Sequence, residues 1–292
     1  MINGIINVYK EEGYTSFDVV AKLRGITKIR KIGHTGTLDP DATGILPVCI
    51  GSATKLCDML TDKTKEYEAV LRLGVVTDTQ DASGNVLERC EVNITKKEFE
   101  QAILSFIGRS KQIPPMYSAL KVDGRKLCDM ARAGIEVERK PRDIEITDIK
   151  ILDMTKDTAR IRVACSKGTY IRTLCNDIGA KLKCGGIMES LVRTRSGTFK
   201  IEDAVKLEQI EKLAKEGRIF EILIPVDSMF DDCPEKSVSG EEEKRVKNGN
   251  LLAIPFEGDR IRIYLEDGRF AAVYDFSEKN KCYTPYKMFL NQ

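Results

Sequence analysis

The sequence predicts an α+β fold with a mixed, largely antiparallel central sheet flanked by helices, followed by a small β-rich unit. Strand-like segments come in pairs broken by single helical segments, not in the regular alternation of a parallel α/β array. The 292 residues suffice for one large domain plus a small one. A polar stretch, FDDCPEKSVSGEEEKR, resembles a linker between the two. We therefore expect a catalytic domain over residues 1–230 and a tail domain over residues 231–292.

The first elements alternate apolar strands with short helices. GIINVYK predicts a strand, and TSFDVVAKLRGI a helix capped by Thr15 or Ser16, with Phe17, Val20 and Leu23 on its apolar face. KIGHTGTLDPDATG is rich in turn formers and predicts a loop. Then ILPVCIG predicts a buried strand, SATKLCDML a short capped helix, and KEYEAVLRLG an alternating strand.

The later elements have clearer boundaries. TKKEFEQAILSFIG predicts a helix that Thr95 caps, with Glu98 placed for a capping box. QIPPMYSALKVDGRKL predicts a strand that ends in an Asp-Gly turn. DIEITDIKILDM and TARIRVACS predict consecutive strands, and TYIRTLCNDIGAKL and KLEQIEKLAKEG predict helices. In the tail, DRIRIYLED and GRFAAVYDF predict two strands joined through Asp-Gly.

Composition excludes several classes of protein. The chain is 42% hydrophobic and 32% charged, which is ordinary for a globular protein with a core. The N-terminus lacks the pattern of a signal peptide and no apolar run approaches the roughly 18 residues of a membrane span, so we expect a cytoplasmic protein. The nine cysteines are scattered without a C-x-x-C pair and there is one histidine, so we expect reduced thiols, no metal and no cofactor.

The segment KIGHTGTLDPDATGIL concentrates candidate functional groups. It holds the single histidine, His34, and two aspartates, Asp39 and Asp41, on either side of a proline. By itself the segment leaves open whether a carboxylate is a helix cap, a turn former, a metal ligand or a nucleophile. Arg172, just inside a predicted helix, fits poorly in a core unless a carboxylate faces it. An Arg–Asp pair would hold the aspartate ionised and oriented, as a nucleophile requires.

These motifs resemble a known family. GHTGTLDPDATGILP is similar to the signature of the TruB family of tRNA pseudouridine synthases. GIINVYKEEGYTS, KEYEAVLRLGVVTDTQDASG, QIPPMYSALKVDGRKLCDMARAG, CSKGTYIRTLCNDIG and LVRTRSG resemble its other segments, in the same order, over roughly residues 4–200. The chain departs from the pattern at Tyr9 and Glu11, where a polar residue and a proline are expected, and at Cys128, where a tyrosine is usual. The tail resembles, more loosely, a PUA-like RNA-binding domain.

The resemblance implies a pseudouridine synthase fold and an isomerase that converts uridine to pseudouridine at position 55, in the T-loop of tRNA. It assigns the nucleophile to Asp39, in the L-D-P position, and leaves Asp41 as a surface or turn residue. The base must be flipped out of the stack before it can react. Two alternatives are a glycosidase-like hydrolase that uses both aspartates, and a non-catalytic tRNA-binding or tRNA-folding protein of the same fold.

The resemblance also implies roles for other residues. Tyr67 stacks on the extruded uracil and can take part in removing the C5 proton, and Arg172 pairs with Asp39. Tyr170 and Leu191 line the pocket, and His34 helps to push the base out. The partner is the T-arm stem-loop of tRNA, bound by a monomer. Although the net charge is only +2, clustered cations suggest phosphate contacts from Lys121, Arg125, Lys126, Arg132, Arg139 and Arg142.

Overall fold

The structure is a computed structural model that describes residues 2–290. It contains a ten-stranded sheet with helices packed on it, a separate four-stranded sheet near the C-terminus, and two short hairpins. No helix in the described part of the chain is both long and apolar enough to cross a bilayer. All nine cysteines are unpaired, five of them buried, as expected for reduced thiols.

The strands are β1 Gly4–Lys10, β2 Ile32–His34, β3 Thr43–Ile50, β4 Lys65–Leu73, β5 Val75–Thr77, β6 Val86–Arg89, β7 Gly108–Gln112, β8 Lys121–Val122, β9 Arg125–Lys126, β10 Arg142–Met154, β11 Thr158–Cys165, β12 Gly186–Ser196, β13 Phe199–Lys200, β14 Val205–Lys206, β15 Glu235–Ser237, β16 Arg260–Tyr264, β17 Phe270–Ser277 and β18 Cys282–Met288. The α-helices are α1 Ser16–Thr27, α2 Cys57–Thr61, α3 Lys96–Leu104, α4 Leu127–Arg132, α5 Ile171–Lys181, α6 Leu207–Lys215 and α7 Gly240–Lys247. Single 3₁₀ turns cover Gly51–Leu56, Ile201–Asp203, Ile219–Ile222 and Asp227–Phe230.

The large sheet is mixed and largely antiparallel, so the predicted fold class is confirmed. Its order is β14-β1-β3-β12-β4-β11-β10-β7, with β2 added to β3 and β13 to β12. Only the β1–β14 and β3–β12 pairs are parallel. The β3–β12 pair joins two distant parts of the sequence at the middle of the sheet. The loop that enters β3 therefore lies beside the β12 segment LVRTRSG.

Helix α1 is correctly predicted, and so is the burial of Val20 and Leu23, but one residue of the predicted apolar face is misplaced. Thr15 caps the helix through a complete capping box. The prediction that Phe17 lies on the apolar face is wrong, because this side chain is 66% exposed. The buried face is formed instead by Val19, Val20 and Leu23, together with Ser16. The serine faces inward because it bonds to the loop before β3, and this contact fixes the rotation of the helix.

Two other segments differ from their predictions. SATKLCDML forms a 3₁₀ turn that leads into α2, and neither element has a side-chain cap. The polar stretch after residue 230 is not an open linker, since it contains β15 and α7. The charges of α7 pair with one another on its outer side, while Val246 is fully buried. A solvent-facing helix of a small unit has the same composition as a linker, so composition cannot separate them.

The C-terminal sheet, in the order β15-β16-β17-β18, has its own apolar core. It also packs against the larger part of the chain through an aromatic cluster. Phe230, Phe270 and Phe289 lie with ring centroids 5.2–6.4 Å apart. Val273 of β17 and Ile45 of β3 belong to the same buried cluster, which therefore fixes the small sheet against the central one.

Candidate active site

The loop between β2 and β3 holds Asp39 by its neighbours. The Leu38 amide donates to Ser16 Oγ at 3.0 Å, and the Ala42 amide donates to the Asp39 carbonyl oxygen at 3.1 Å. Leu38 and Ala42 are buried, whereas Asp41 at the tip of the turn is exposed. Anchoring on both sides gives the Asp39 side chain a fixed direction. The structure thus distinguishes the two aspartates by their environments.

A buried lysine holds the backbone immediately after the aspartate. Lys10, at the end of β1, is 0% exposed, and its Nζ donates to the carbonyl oxygens of Glu11 at 3.0 Å, Tyr14 at 2.6 Å and Pro40 at 3.0 Å. Burial lowers the pKa of Lys10 to about 8. Glu11 contributes only its backbone carbonyl, so the departure from the family pattern at this position leaves the contact intact.

A buried arginine holds the loop from the other side. Arg193 of β12 is 1% exposed, and its guanidinium donates to the carbonyl oxygens of Ile45 at 2.8 Å and Gly36 at 3.4 Å. These carbonyls lie on either side of Asp39 in the sequence. A Cβ atom on Gly44, whose φ is +104°, would lie 2.3 Å from the Arg193 carbonyl oxygen. Only glycine therefore allows β3 to approach β12 this closely.

Arg172 and Asp39 form the predicted pair. Arg172 is the second residue of α5, its side chain is 7% exposed, and its Nε lies 3.2 Å from Asp39 Oδ2. The other two nitrogens also have partners: Nη1 donates to Asp81 Oδ2 and to the Thr79 carbonyl oxygen, both at 3.2 Å, and Nη2 donates to the Tyr117 carbonyl oxygen at 2.7 Å. A guanidinium held on every side is a rigid support for the carboxylate.

Asp81 was missed by the sequence reasoning. It lies in the loop between β5 and β6, where its Oδ1 accepts from Thr79 Oγ1 and Ser83 Oγ, both at 2.6 Å. Its other carboxylate oxygen faces Arg172, so the buried arginine has a second charged partner besides Asp39. The signal was the turn-forming run DTQDASGN, which places a carboxylate in a tight turn beside the strand that carries Tyr67.

The electrostatic setting of Asp39 combines opposing effects. Withdrawal from water raises the pKa of the Asp39 carboxyl, the positive charge of Arg172 lowers it, and the negative charge of Asp81 raises it again. The net pKa lies above the ordinary value of 3.8. The side chain is still 41% exposed, so it is open to a substrate. A more basic carboxylate is the stronger nucleophile once Arg172 favours its ionised form.

Tyr67 and Leu191 form an apolar wall next to this carboxylate. They lie on the adjacent strands β4 and β12, are 9% and 8% exposed, and share one buried cluster with Leu38 and Ala42. Burial raises the pKa of the Tyr67 phenol, and the charge of Arg193, its cross-strand neighbour, opposes that rise. The wall therefore offers an aromatic face and one polar atom in an otherwise apolar setting.

Tyr170 and His34 also lie around the Asp39 loop. Tyr170 precedes α5, and the Gln112 side-chain amide bonds to both its backbone amide and its carbonyl, at 2.8 and 3.0 Å. His34 ends β2 and is half-buried. Burial lowers the pKa of His34, and its Nδ1 accepts a 3.4 Å hydrogen bond from the Gly36 amide. A neutral imidazole held in this way is suited to contact a base rather than to carry charge.

The predicted basic surface lies on an insertion between β7 and β10, residues 113–141, which contains the β8–β9 hairpin and α4. Its groove of about 510 Å³ is lined in part by Lys121, Arg125 and Lys126. Arg139 is instead tied to the protein, because it donates to the Pro114 carbonyl oxygen at 3.2 Å. The other two candidates, Arg132 and Arg142, do not line the groove either. Arg132 lies 3.6 Å from Asp129, and Arg142 is exposed on β10.

Comparison with known proteins places this geometry in a family. Residues 24–171 match the N-terminal domain of the TruB family pseudouridylate synthases, and residues 172–231 match the C-terminal domain of tRNA pseudouridylate synthase B. The chain belongs to the TruB family. The tRNA pseudouridine synthase B of Lachnoclostridium phytofermentans is 50% identical to it, covering 99% of this chain and all of the relative. The Bacillus subtilis enzyme of the same name is 43% identical, covering 94% and 93%.

Solved structures share the whole TruB-like architecture. The Cbf5–Nop10–Gar1 complex contains a chain that matches with a TM-score of 0.72 at 25% identity, over 98% of this chain and 85% of that one. A chain of an H/ACA ribonucleoprotein bound to a substrate RNA containing 2′-deoxyuridine matches with a TM-score of 0.71 at 24% identity. Because the match covers nearly the full length, the shared fold includes the small C-terminal sheet.

Proposed function

We propose that this protein isomerises uridine to pseudouridine at position 55 in the T-loop of tRNA, with Asp39 as the nucleophile. The observation that carries the proposal is a partly exposed carboxylate that forms an ion pair with a buried arginine and lies next to Tyr67 and Leu191. Membership of the TruB family, with relatives named tRNA pseudouridine synthase B, supports the choice of substrate.

The reaction exchanges one bond of uridine for another. The N1–C1′ bond breaks, the uracil ring turns, and C5 bonds to C1′; C5 loses a proton and N1 gains one, so there is no net redox change and no hydrolysis. Positive character at C1′ is stabilised by a fixed carboxylate, as in glycosidases. Asp39 performs this role by bonding to C1′; the two alternative routes are that it instead adds to C6 of the base, or that it promotes loss of the C2′ proton. Arg172 keeps the carboxylate aimed in each case.

The detached uracil must turn without escaping, which requires a dry and close-fitting pocket. Tyr67 stacks on the ring, and Leu191 and Tyr170 limit its movement. The Tyr67 phenolate is the form that can accept the C5 proton. Burial disfavours this form, and the neighbouring Arg193 charge favours it. His34, which lies near the loop and has a lowered pKa, takes the place of the extruded base in the RNA.

The remaining parts of the chain bind the RNA. The basic insertion contacts phosphates of the T-arm, and residues 231–292 form a PUA-like domain that binds RNA outside the catalytic pocket. We infer that the protein acts in the cytoplasm as a monomer and without a metal or a cofactor. Light scattering of the free protein tests whether it is a monomer, and activity that is retained after dialysis against EDTA tests whether it works without a metal.

Tritium release tests the function directly. A T-arm transcript tritiated at uridine C5 is incubated with the parent, with Asp39→Asn and with the matched control Asp41→Asn. We expect rapid release by the parent and by the control, and no measurable release by Asp39→Asn. Binding of the transcript without release by the parent would instead support the non-catalytic tRNA-binding alternative. Release of free uracil would support a hydrolase.

A further inference from the structure

Phe17 is an exposed aromatic residue beside the active site. It is 66% exposed at the start of α1, although burial of an apolar side chain of this size is favourable. The residue before it, Ser16, is bonded to Leu38, which directly precedes Asp39. Phe17 is thus fixed close to the nucleophile by a short chain of contacts, while its ring remains in solvent. The mechanism described above does not use this ring.

The ring of Phe17 forms a right-angled corner with His34. Their centroids are 5.5 Å apart and the two ring planes meet at 89°. A flat base that stacks on Phe17 lies perpendicular to the imidazole as well, and a perpendicular arrangement of neighbouring rings is favourable for aromatic groups. The corner can therefore hold one base by its face and its edge at once, next to the position from which His34 displaces the target uridine.

A cation completes the corner. Lys126 Nζ, at the end of the β8–β9 hairpin, lies 5.7 Å from the centre of the Phe17 ring. Within residues 2–290, no carboxylate lies within 4 Å of this ammonium group. An exposed aromatic ring, with an uncompensated cation over one face and the other face able to receive a base, matches the two parts of a nucleotide, an unpaired base and its phosphate.

We propose that Phe17 is the stacking platform for the unpaired base next to the target uridine, and that Lys126 binds the phosphate of that nucleotide. This site rests on the proposed function, because it deepens the account of the same RNA. Its role is to hold the neighbouring nucleotide while the target base is extruded. Phe17 thereby contributes to binding of the substrate RNA and not to the bond-breaking step.

The test combines kinetics with a fluorescent base. T-arm RNAs carry 2-aminopurine at each unpaired loop position in turn, and are bound by the parent, Phe17→Leu, Phe17→Tyr and the control Phe220→Leu. Phe220 is similarly exposed, at 61%, and lies outside the candidate site. We expect quenching at one position next to the target in the parent, the Phe17→Tyr variant and the control, and its loss in Phe17→Leu. We also expect a KM about tenfold higher for Phe17→Leu, with an unchanged single-turnover rate at saturating enzyme.

Two results would overturn the proposal. One is a KM and a quenching pattern for Phe17→Leu that equal those of the parent. The other is a Phe17→Leu effect that disappears in the His34→Ala background, because Phe17 would then act only by positioning the histidine. If the proposed function itself is wrong, the result differs from both: the parent releases no tritium, while the fluorescence still reports whether it binds the RNA.

Discussion

Two regions of the molecule use cations in opposite ways. One is the set of buried cations around the Asp39 loop, Lys10, Arg172 and Arg193, which we call the floor of the candidate active site; the other is the basic insertion, residues 113–141. In the floor, Lys10, Arg172 and Arg193 are 0%, 6% and 1% exposed. Lys10 and Arg193 donate to backbone carbonyls in and beside the Asp39 loop, and Arg172 pairs with the Asp39 carboxylate itself. In the insertion, the strands are two residues long, α4 has one buried residue, and most of the cations face solvent. The contacts of the floor therefore hold the Asp39 loop in one geometry, whereas the insertion has few buried contacts and can adjust to a ligand.

The difference implies separable effects on catalysis and binding. Burying a cation is costly unless its donors are satisfied. For Lys10 and Arg193, backbone carbonyls supply the partners, and no carboxylate lies within 4 Å of either in residues 2–290. Such contacts hold the loop before RNA arrives, so disturbing them should lower the rate of the chemical step. Exposed cations of the insertion should affect affinity and its salt dependence instead.

Among the residues that support Asp39, the largest effect is expected for Arg172→Lys. Lysine has no planar fork and cannot reach Asp39, Asp81 and the Tyr117 carbonyl together. We expect the single-turnover rate of tritium release to fall about 100-fold while RNA affinity stays within about threefold, because the lost charge-assisted bonds are worth about 1.5–3 kcal/mol. Rapid-quench kinetics and filter binding measure the two quantities. A rate close to that of the parent would mean that the guanidinium does not orient the nucleophile.

A smaller effect is expected for Lys10→Met, which preserves the length of the side chain but removes all three donors. The carbonyl of Pro40 then loses its anchor, and Asp39 is less well aimed. We expect kcat to fall about tenfold with a smaller change in KM. The control is Lys150→Met, an exposed lysine on β10. A change confined to KM would place Lys10 in RNA binding and not in the support of the loop.

A binding effect without a catalytic one is expected from the insertion. The double variant Lys121→Ala/Arg125→Ala removes two groove-lining cations. We expect weaker T-arm binding and a slope of log affinity against log salt that is shallower by about one for each lost phosphate contact. Lys150→Ala is the charge-matched control. An unchanged salt slope would show that the groove does not face the RNA backbone.

The smallest effect concerns stability and pH. The folded state raises the pKa of Asp39 above 3.8, so folded protein binds more protons than unfolded protein as pH rises from that value through the folded pKa. The free energy of unfolding therefore falls as the pH rises from 3.8 to the folded pKa of Asp39, and above that pKa the full loss of stability is present. Asp39→Asn has no carboxyl group to ionise and therefore does not suffer this loss of stability. Because the side chain is partly exposed and screened, we expect a gain of at most about 1 kcal/mol at neutral pH that vanishes below 3.8. Denaturant unfolding over a pH series measures it; a less stable variant at neutral pH would contradict it.

The sequence predicted the groups that we propose to react, but not most of the groups that hold them. Asp39, Tyr67 and Arg172 were found through the family motifs, and Arg172 also because a cation inside an apolar helix requires a carboxylate. Lys10 lies on the same face of β1 as the apolar residue Val8, and this alternation indicates a buried lysine, which was not predicted from the sequence. The contacts of Arg193 depend on the adjacency of β3 and β12, and residues about 150 apart give no local sign of it.

The errors in the fold have a similar origin. The rotation of α1 was assigned from helical spacing alone, which put Phe17 in the core. In the structure, the bond between Ser16 and Leu38 turns the helix and exposes Phe17. The strand β15 and helix α7 were mistaken for a linker because their charges are satisfied within the small unit. In both cases a tertiary contact outweighs a local pattern.

The most direct test of the separation between floor and insertion measures two constants on the same variants. The dissociation constant for the T-arm RNA and the single-turnover rate at saturating enzyme are determined for Asp39→Asn and for Lys121→Ala/Arg125→Ala. The account predicts that Asp39→Asn binds within a few-fold of the parent and releases no tritium, whereas the double variant binds more weakly and, once saturated, reacts at the parent rate. Tritium release by Asp39→Asn, or a saturated rate that falls in parallel with affinity in the double variant, would contradict it.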